Sequence, residues 1–225
     1  MARKILNQEE DTLPRNWREG ELIEVFHLNR IKEYQTPLIQ EWLDVQNPEL
    51  NVGEQYVFDK THKKALKSIE GWSEEDLKMK FIAPVLELGH MSDDDTVIGY
   101  FDKIISATID GIKLTVKSDF MLAKGILNVA KTPYFHFQEY KPQLNPSGEP
   151  MAQLIEAFLI AQEKNKNNKP LYGVEIIGKQ WSFVIMDNKD YCISKAFDAT
   201  DKEDLMAIIA ILRKFKVILY ERLID

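Results

Sequence analysis

Apolar positions along the chain change period several times, and each change marks an element. From Ser73 onward, Leu77, Phe81, Val85 and Leu88 recur every third or fourth residue, the spacing of one helix face. Ser73 is a capping residue type, and Glu74, Glu75 and Asp76 suit the positive end of the helix dipole. Pro84 predicts a kink and Gly89 a stop. Then the period shortens to two. Lys103–Ile109, Ile112–Leu122 and Tyr134–Lys141 read as strands, the first two joined by Asp110-Gly111, a dipeptide suited to a tight hairpin. Pro142 to Pro150 reads as a loop, and Met151–Gln162 returns to a helical, apolar-rich pattern. Strands Leu171–Ile177 and Trp181–Asp187 follow across Gly178-Lys179-Gln180. Thr200 or Asp201 then caps a last helix over Lys202–Arg222.

Upstream the signal is weaker. Residues 1–20 are polar, contain Pro14 and keep no period, which predicts a mobile or surface-draped tail. Two helices are expected at Asn29–Val45 and Glu54–Ile69, with Pro37 and Pro48 as breakers and Leu38, Ile39, Trp42 and Leu43 as the apolar set. Ser92-Asp93-Asp94-Asp95 reads as an acidic turn. The order of helix, three strands, helix, strands and helix predicts an α/β domain over 71–225, with 71–190 as its soluble core unit. Its sheet should be mixed and flanked by helices, behind a tail and helical extension over 1–70 that packs on the core or on a partner.

Composition works mainly by exclusion. At 44% hydrophobic over 225 residues the chain can bury an ordinary core. Its apolar runs, such as Met206–Leu212, fall far short of the roughly 20 residues that span a bilayer. Met1-Ala2-Arg3-Lys4 leads into Asn7-Gln8-Glu9-Glu10-Asp11 rather than an apolar stretch, so neither a membrane span nor a signal peptide is expected. The single cysteine, Cys192, cannot make an intrachain disulfide, and a reducing cytoplasm is the expected compartment. His27, His62, His90 and His136 are scattered and read as structural, without a zinc-type ligand set. Gly99, Gly111 and Gly125 lack the Gly-Lys-Ser/Thr ending of a phosphate-cradling loop. The net charge of −7 argues against indiscriminate coating of nucleic acid but leaves room for a local basic groove. Lys113, Lys117, Lys124 and Lys131 are its candidates, or else solvated strand edges.

The candidate chemistry is carried by acids on strands. Alternation along Tyr134–Lys141 puts Phe135, Phe137, Glu139 and Lys141 on one face, with His136 opposite. Asp119 stands amid Leu114, Val116, Phe120 and Met121, and a carboxylate buried there needs water, a cation or a metal. A salt bridge to Lys117 or Lys141 would serve equally. Two carboxylates on neighbouring strands, helped by the Tyr140 carbonyl, make a hard oxygen site suited to Mg²⁺ or Mn²⁺. Lys141 beside it could position or deprotonate an attacking water. Glu74 shares the buried stripe of its helix through Leu77 and Phe81 and can reach the same site. Taken alone, a Glu-x-Lys such as Glu139-x-Lys141 is usually a solvated cross-face pair, and a Gln placed like Gln153 is more often a surface helix residue than a ligand.

Asp119 followed twenty positions later by Glu139-Tyr140-Lys141, behind the helix SEEDLKMKFIAPVLELGH, resembles the PD-(D/E)xK nuclease signature and the nuclease domains of type I restriction enzymes. The resemblance covers roughly residues 70–190. It implies a restriction-endonuclease-like α-β-β-β-α-β core and Mg²⁺- or Mn²⁺-dependent hydrolysis of DNA. By it Asp119, Glu139 and Tyr140 hold the metal, Lys141 assists the water, and Glu74 is the helix acid, with Glu75 as the alternative. Gln153, in PMAQLIEAF, stands where several branches add a Gln to the site. Ser118 occupies the place of the signature's Pro without touching the metal ligand. Phe158 or Ala157 stands where some relatives carry a Tyr, a departure from the exonuclease branch. DNA is the implied partner, with a homodimer or a larger restriction or defence complex as the assembly. A second reading is a nuclease-fold module that binds nucleic acid or protein without cutting, which the low Arg content and negative charge favour. A third assigns function to residues 21–70 as a docking module.

Overall fold

The computed structural model describes residues 16–32, 36–91, 96–144 and 146–224. Asp110 and Gly111 both take left-handed angles, φ 50° and 81°, and close a two-residue hairpin whose twist matches that of the flanking strands. It joins β2 (Ile98–Ile109) to β3 (Ile112–Ile126). A second two-residue turn, Leu127-Asn128, leads into β4 (Val129–Lys141), so these strands outrun their predicted ends. Then come α6 (Pro150–Asn165), β5 (Leu171–Ile177), β6 (Gln180–Asp187) and β7 (Asp190–Asp198). β7 has no counterpart in the sequence reading: polar Ser194 and Lys195 and a register shift between Ser182 and Val184 of β6 blur its alternation.

The chain's amino-terminal part departs most from expectation. Asn29–Val45 is not one helix. Asn29–Ile31 is a short strand, β1, and Pro37–Leu43 is α2, which starts at Pro37 because proline's missing N–H costs nothing in a first turn. Thr36 caps it, accepting the Ile39 N–H. Ahead of both, Glu19–Phe26 forms α1, buried through Leu22 and Phe26. The expected second helix appears as α3, Val52–Ser68, capped by Asn51. Residues 1–15 of the expected tail and the acidic turn Ser92–Asp95 lie outside the described residues.

Among the described residues seven strands form one mixed sheet in the order β1-β7-β6-β5-β4-β3-β2, parallel at β1–β7 and β4–β5 and antiparallel elsewhere. The parallel β4–β5 pair requires a crossover, which α6 supplies. One face, with Phe120, Tyr140, Trp181 and Phe183, packs under α2, α3 and the helices around Phe81 and Phe215. The other, with Leu114, Val116, Phe137 and Val184, packs under α1 and α6. Residues 36–69 therefore share the sheet's core, and Trp42 Nε1 donates to the Ile211 carbonyl at 2.9 Å.

The helix from Ser73 is built in three pieces. Ser73 Oγ accepts the Asp76 N–H at 3.1 Å and opens α4 (Glu74–Leu77). A π-helical turn, Lys78–Ile82, follows, and α5 (Ala83–Leu88) completes it. Pro84 lacks an N–H and crowds the carbonyl four residues back, and the widened turn just before it accommodates the ring while the helix continues. Asp201 caps the final helix, α7 (Lys202–Ile218), accepting from Glu203 and Asp204, and the chain continues as a π-helical turn over Leu219–Leu223. Among the described residues no helix is long and apolar enough to cross a membrane.

Candidate functional site

β3 and β4 run paired from Ile126↔Val129 to Phe120↔Gln138 and then part. At the fork the Asp119 side chain takes over from the ladder: its Oδ2 accepts the Tyr140 N–H at 2.9 Å. The same point is irregular on the β2 side. Pairing passes from Phe101↔Phe120 to Lys103↔Ser118, and Asp102, the residue skipped, has a left-handed φ of 55°. Val116 faces the α6 core whereas Phe120 faces the other, so the alternation of β3 switches across Asp119. Ser118 Oγ bridges the bend by donating to the Phe120 carbonyl at 2.9 Å.

One expectation for β4 needs correction. Phe135 does not share the face of Phe137 and Glu139. The register skips it, from Leu122↔His136 to Ala123↔Tyr134, and this bulge turns Phe135 into the core of Phe120 and Tyr140.

The fork gathers Asp119, Glu139 and Lys141, which are only 4%, 0% and 6% exposed, too little for water to solvate their charges. By distance and angle neither oxygen of Glu139 makes a hydrogen bond, although the backbone N–H and the carboxyl of Asp119 lie close to it. Burial drives its pKa well above the usual carboxylate range, the neighbouring Asp119 charge adds to the rise, and Lys141 opposes it. Asp119 is also raised, first by burial and further by Glu74, against the Tyr140 N–H and Lys141. Lys141 Nζ donates to the Tyr140 carbonyl at 3.1 Å and stands 3.5 Å from Glu74 Oε2 and 3.9 Å from Asp119 Oδ2. Glu75 instead pairs with Lys78 at 3.4 Å, so of these two acids Glu74 is the one beside Lys141.

Glu74 and Asp119 thus flank one ammonium, and Glu139 lies near enough to feel its charge. Among the described residues no three His, Cys, Asp or Glu side chains form a metal-ligand group by themselves. A hard divalent ion would rest on Asp119, Glu139 and the Tyr140 carbonyl, all oxygen donors, and the orphaned Glu139 carboxylate is the atom set that fits it. The Tyr140 ring lies on the opposite face of the sheet, in the core with Phe120 and Trp181, where burial raises its phenol and the nearby acids add to the rise.

Lys141 and Gln153 line one cavity of about 330 Å³, together with Trp17, Thr115, Lys117 and Glu156. Gln153 Oε1 is buried there without a partner. Sequence reasoning passed over Glu156. It is 4% exposed and accepts the Thr115 N–H at 3.0 Å on the edge of β3 that β4 has left, and burial pushes its pKa up to about 7. Its signal was available: it follows Gln153 by three residues, on the same helix face. Lys78 was also passed over. It is buried and bonded to Asp102, which Lys117 engages from the other side. Of the other lysines expected to line a groove, Lys124 donates to the Ile224 carbonyl, while Lys113 and Lys131 are exposed.

Comparison with models of known protein families and with curated protein sequences gave no match.

Proposed function

We propose that the chain is a Mg²⁺- or Mn²⁺-dependent nuclease that hydrolyses DNA phosphodiester bonds on a restriction-endonuclease-like core. The observation that carries this reading is the fully buried, unpartnered Glu139 carboxylate beside Asp119 and Lys141, at the point where two strands part. A charged carboxylate so placed costs several kcal/mol, which is relieved either by a proton or by a cation that completes the site. The order α4–α5, β2, β3, β4, α6, β5 supports the core, and Glu74 on its helix and Gln153 in the cavity match the resemblance.

A divalent ion held by Asp119, Glu139 and the Tyr140 carbonyl would polarise a phosphoryl oxygen and lower the pKa of water. The chain's own side chains do the rest. Lys141 Nζ orients the attacking water and offsets charge building on the phosphoryl oxygens. Glu74, the more exposed acid at 36% for its side chain, keeps that ammonium in place and accepts the water's proton. Gln153 orients the phosphate across the cavity. The water oxygen bonds to phosphorus as a P–O bond to one sugar breaks, and the departing sugar oxygen takes a proton from solvent to leave as a hydroxyl.

Restriction, defence or repair is the setting the resemblance suggests, with DNA as partner and a second copy or a larger complex as the working assembly. Incubation of plasmid with Mg²⁺ or Mn²⁺ tests the reading. Wild type should nick it, and Asp119→Ala and Lys141→Ala should not, with circular dichroism unchanged. Retained cleavage in either variant overturns the assignment. The net charge of −7 favours the second reading, a nuclease-fold module that binds nucleic acid or protein without cutting. Mn²⁺ titration separates the two, since that module needs no metal.

A further inference from the structure

Next to Asp119 lies a charged group that the catalytic reading does not use. Asp102 falls opposite Asp119 in the β2–β3 ladder, in the gap between Phe101↔Phe120 and Lys103↔Ser118. Two lysines converge on its carboxylate. Lys78 Nζ lies 3.0 Å from Oδ2 and 3.3 Å from Oδ1, and Lys117 Nζ lies 2.9 Å from Oδ1. Lys78 stands one helical turn after Glu74 and is 7% exposed along its side chain, whereas Lys117 and Asp102 are 56% and 42% exposed. Lys117 lines the same cavity as Lys141.

We infer that Lys78 and Lys117 form a phosphate-binding pair for a backbone position adjacent to the cleaved bond, and that the Asp102 carboxylate occupies the pair until nucleic acid displaces it. The inference rests on the nuclease reading, since it assigns that site its grip on the substrate strand.

Three features support it. First, a carboxylate shared by two ammonium groups presents two anionic oxygens, as do the non-bridging oxygens of a phosphodiester, so the lysines already meet the ligand's chemistry. Second, a buried ammonium is costly and persists only where anions compensate it. Burial alone would lower the Lys78 pKa, yet Asp102 and Glu75 raise it above its usual value. Third, Asp102 makes this bridge from a left-handed backbone conformation in mid-strand, a conformation that persists where its surroundings impose it. With Asp102 and Glu75 opposing Lys78 and Lys117 the group is neutral as it stands, which fits a chain with net negative charge that still has to hold phosphates. Displacing the exposed Asp102 carboxylate uncovers the positive charge only on contact. The competing account is a staple that pins the π-helical turn to β2. A staple predicts lost stability on substitution with no change in DNA binding.

Fluorescence anisotropy of a labelled DNA duplex, titrated with the full chain in EDTA over a series of NaCl concentrations, tests this. Lys117→Ala should weaken binding about threefold to tenfold and reduce the slope of log K against log salt by about one. Asp102→Asn, which removes the competing anion, should tighten binding by a similar factor. Lys189→Ala, on the β6–β7 turn, should change neither. Because Lys78 is buried and its loss would disturb folding, Lys117 and Asp102 carry the test. If wild type binds the duplex and nicks plasmid while Lys117→Ala and Asp102→Asn bind as wild type does, the inference fails and the nuclease reading stands. Weaker binding by Asp102→Asn overturns it too, because Asp102 would then organise the site rather than block it. A wild type that neither binds duplex nor nicks plasmid removes the nuclease reading and this inference together.

Discussion

The backbone N–H of Tyr140 is bonded to the side chain of Asp119, at 2.9 Å, just beyond the last β3–β4 ladder pair, Phe120↔Gln138. A carboxylate thus ends the pairing of two strands and opens the fork in which Glu139 and Lys141 stand. An amide at position 119 retains an acceptor for that N–H while losing the charge. Asp119→Asn should therefore keep the fold and lose plasmid nicking by on the order of 100-fold or more. Initial nicking rates beside a thermal melt check this; nicking at the wild-type rate would remove Asp119 from the site.

Glu139 is fully buried and both of its oxygens lack partners, so its charged form weakens the metal-free protein at pH values above its raised pKa. In Glu139→Gln an amide N–H can donate to the neighbouring Asp119 carboxylate. Without divalent ions this variant should melt a few degrees above wild type, for a gain of about 1–3 kcal/mol. Added Mn²⁺ should raise the melting temperature of wild type and leave that of Glu139→Gln unchanged. Equal stabilisation of both by Mn²⁺ would count against a metal at this position.

Glu156 makes stability depend on pH. Its folded pKa, raised by burial to about 7 from an ordinary 4.5, means that the native state binds more protons than the unfolded state between these values. Stability from this group is greatest below pH 4.5 and falls as pH rises to 7. A pKa rise of that size corresponds to a loss of about 3 kcal/mol above pH 7. Glu156→Gln keeps an oxygen for the Thr115 N–H and does not ionise. Urea melts at pH 5 and pH 8 should show the variant gaining over wild type at the higher pH, and a gain independent of pH would contradict this origin.

What was legible in the sequence were features written in neighbouring residues. Ser73 and the acids after it, Asp110-Gly111, Asp201 and the helix bearing Gln153 each carry a local signal, and the structure has each in its expected element. Glu139 and Lys141 share a face because strand alternation holds from Phe137 onward. Alternation failed at Phe135, where an extra residue on one strand reversed the parity, and no local pattern announces such a bulge. β1 was hidden for a related reason: a strand of three residues owes its place to the edge of β7 rather than to its own propensity. Glu156 and the Lys78–Asp102–Lys117 group acquire meaning only from the fork, where an open strand edge and a skipped ladder position bring them together.

The helix that carries Gln153 and Glu156 is held against the sheet at Gly173. A Cβ there would stand 2.7 Å from Phe158 Cζ, 2.8 Å from the Phe137 carbonyl oxygen and 2.9 Å from Leu154 Cδ1. The carbonyl belongs to β4 and cannot swing aside as a flexible side-chain tip would, so β5 must shift against β4 while Phe158 and Leu154 are pushed outward with α6. Gly173→Ala should destabilise the protein by roughly 1–3 kcal/mol through overpacking. It should also reduce nicking at temperatures where the variant is folded, because Gln153 and Glu156 move with α6. Gly20, within α1, gives the contrast: a Cβ there meets nothing within 4 Å. Gly20→Ala should be stabilising by about 0.5–1 kcal/mol, the ordinary helical preference for alanine, with nicking unchanged. Melting temperatures and nicking rates of the two variants decide the matter. A Gly173→Ala protein that melts and cuts like wild type would mean that α6 has slack against β5 and that its distance from the sheet does not set the cavity.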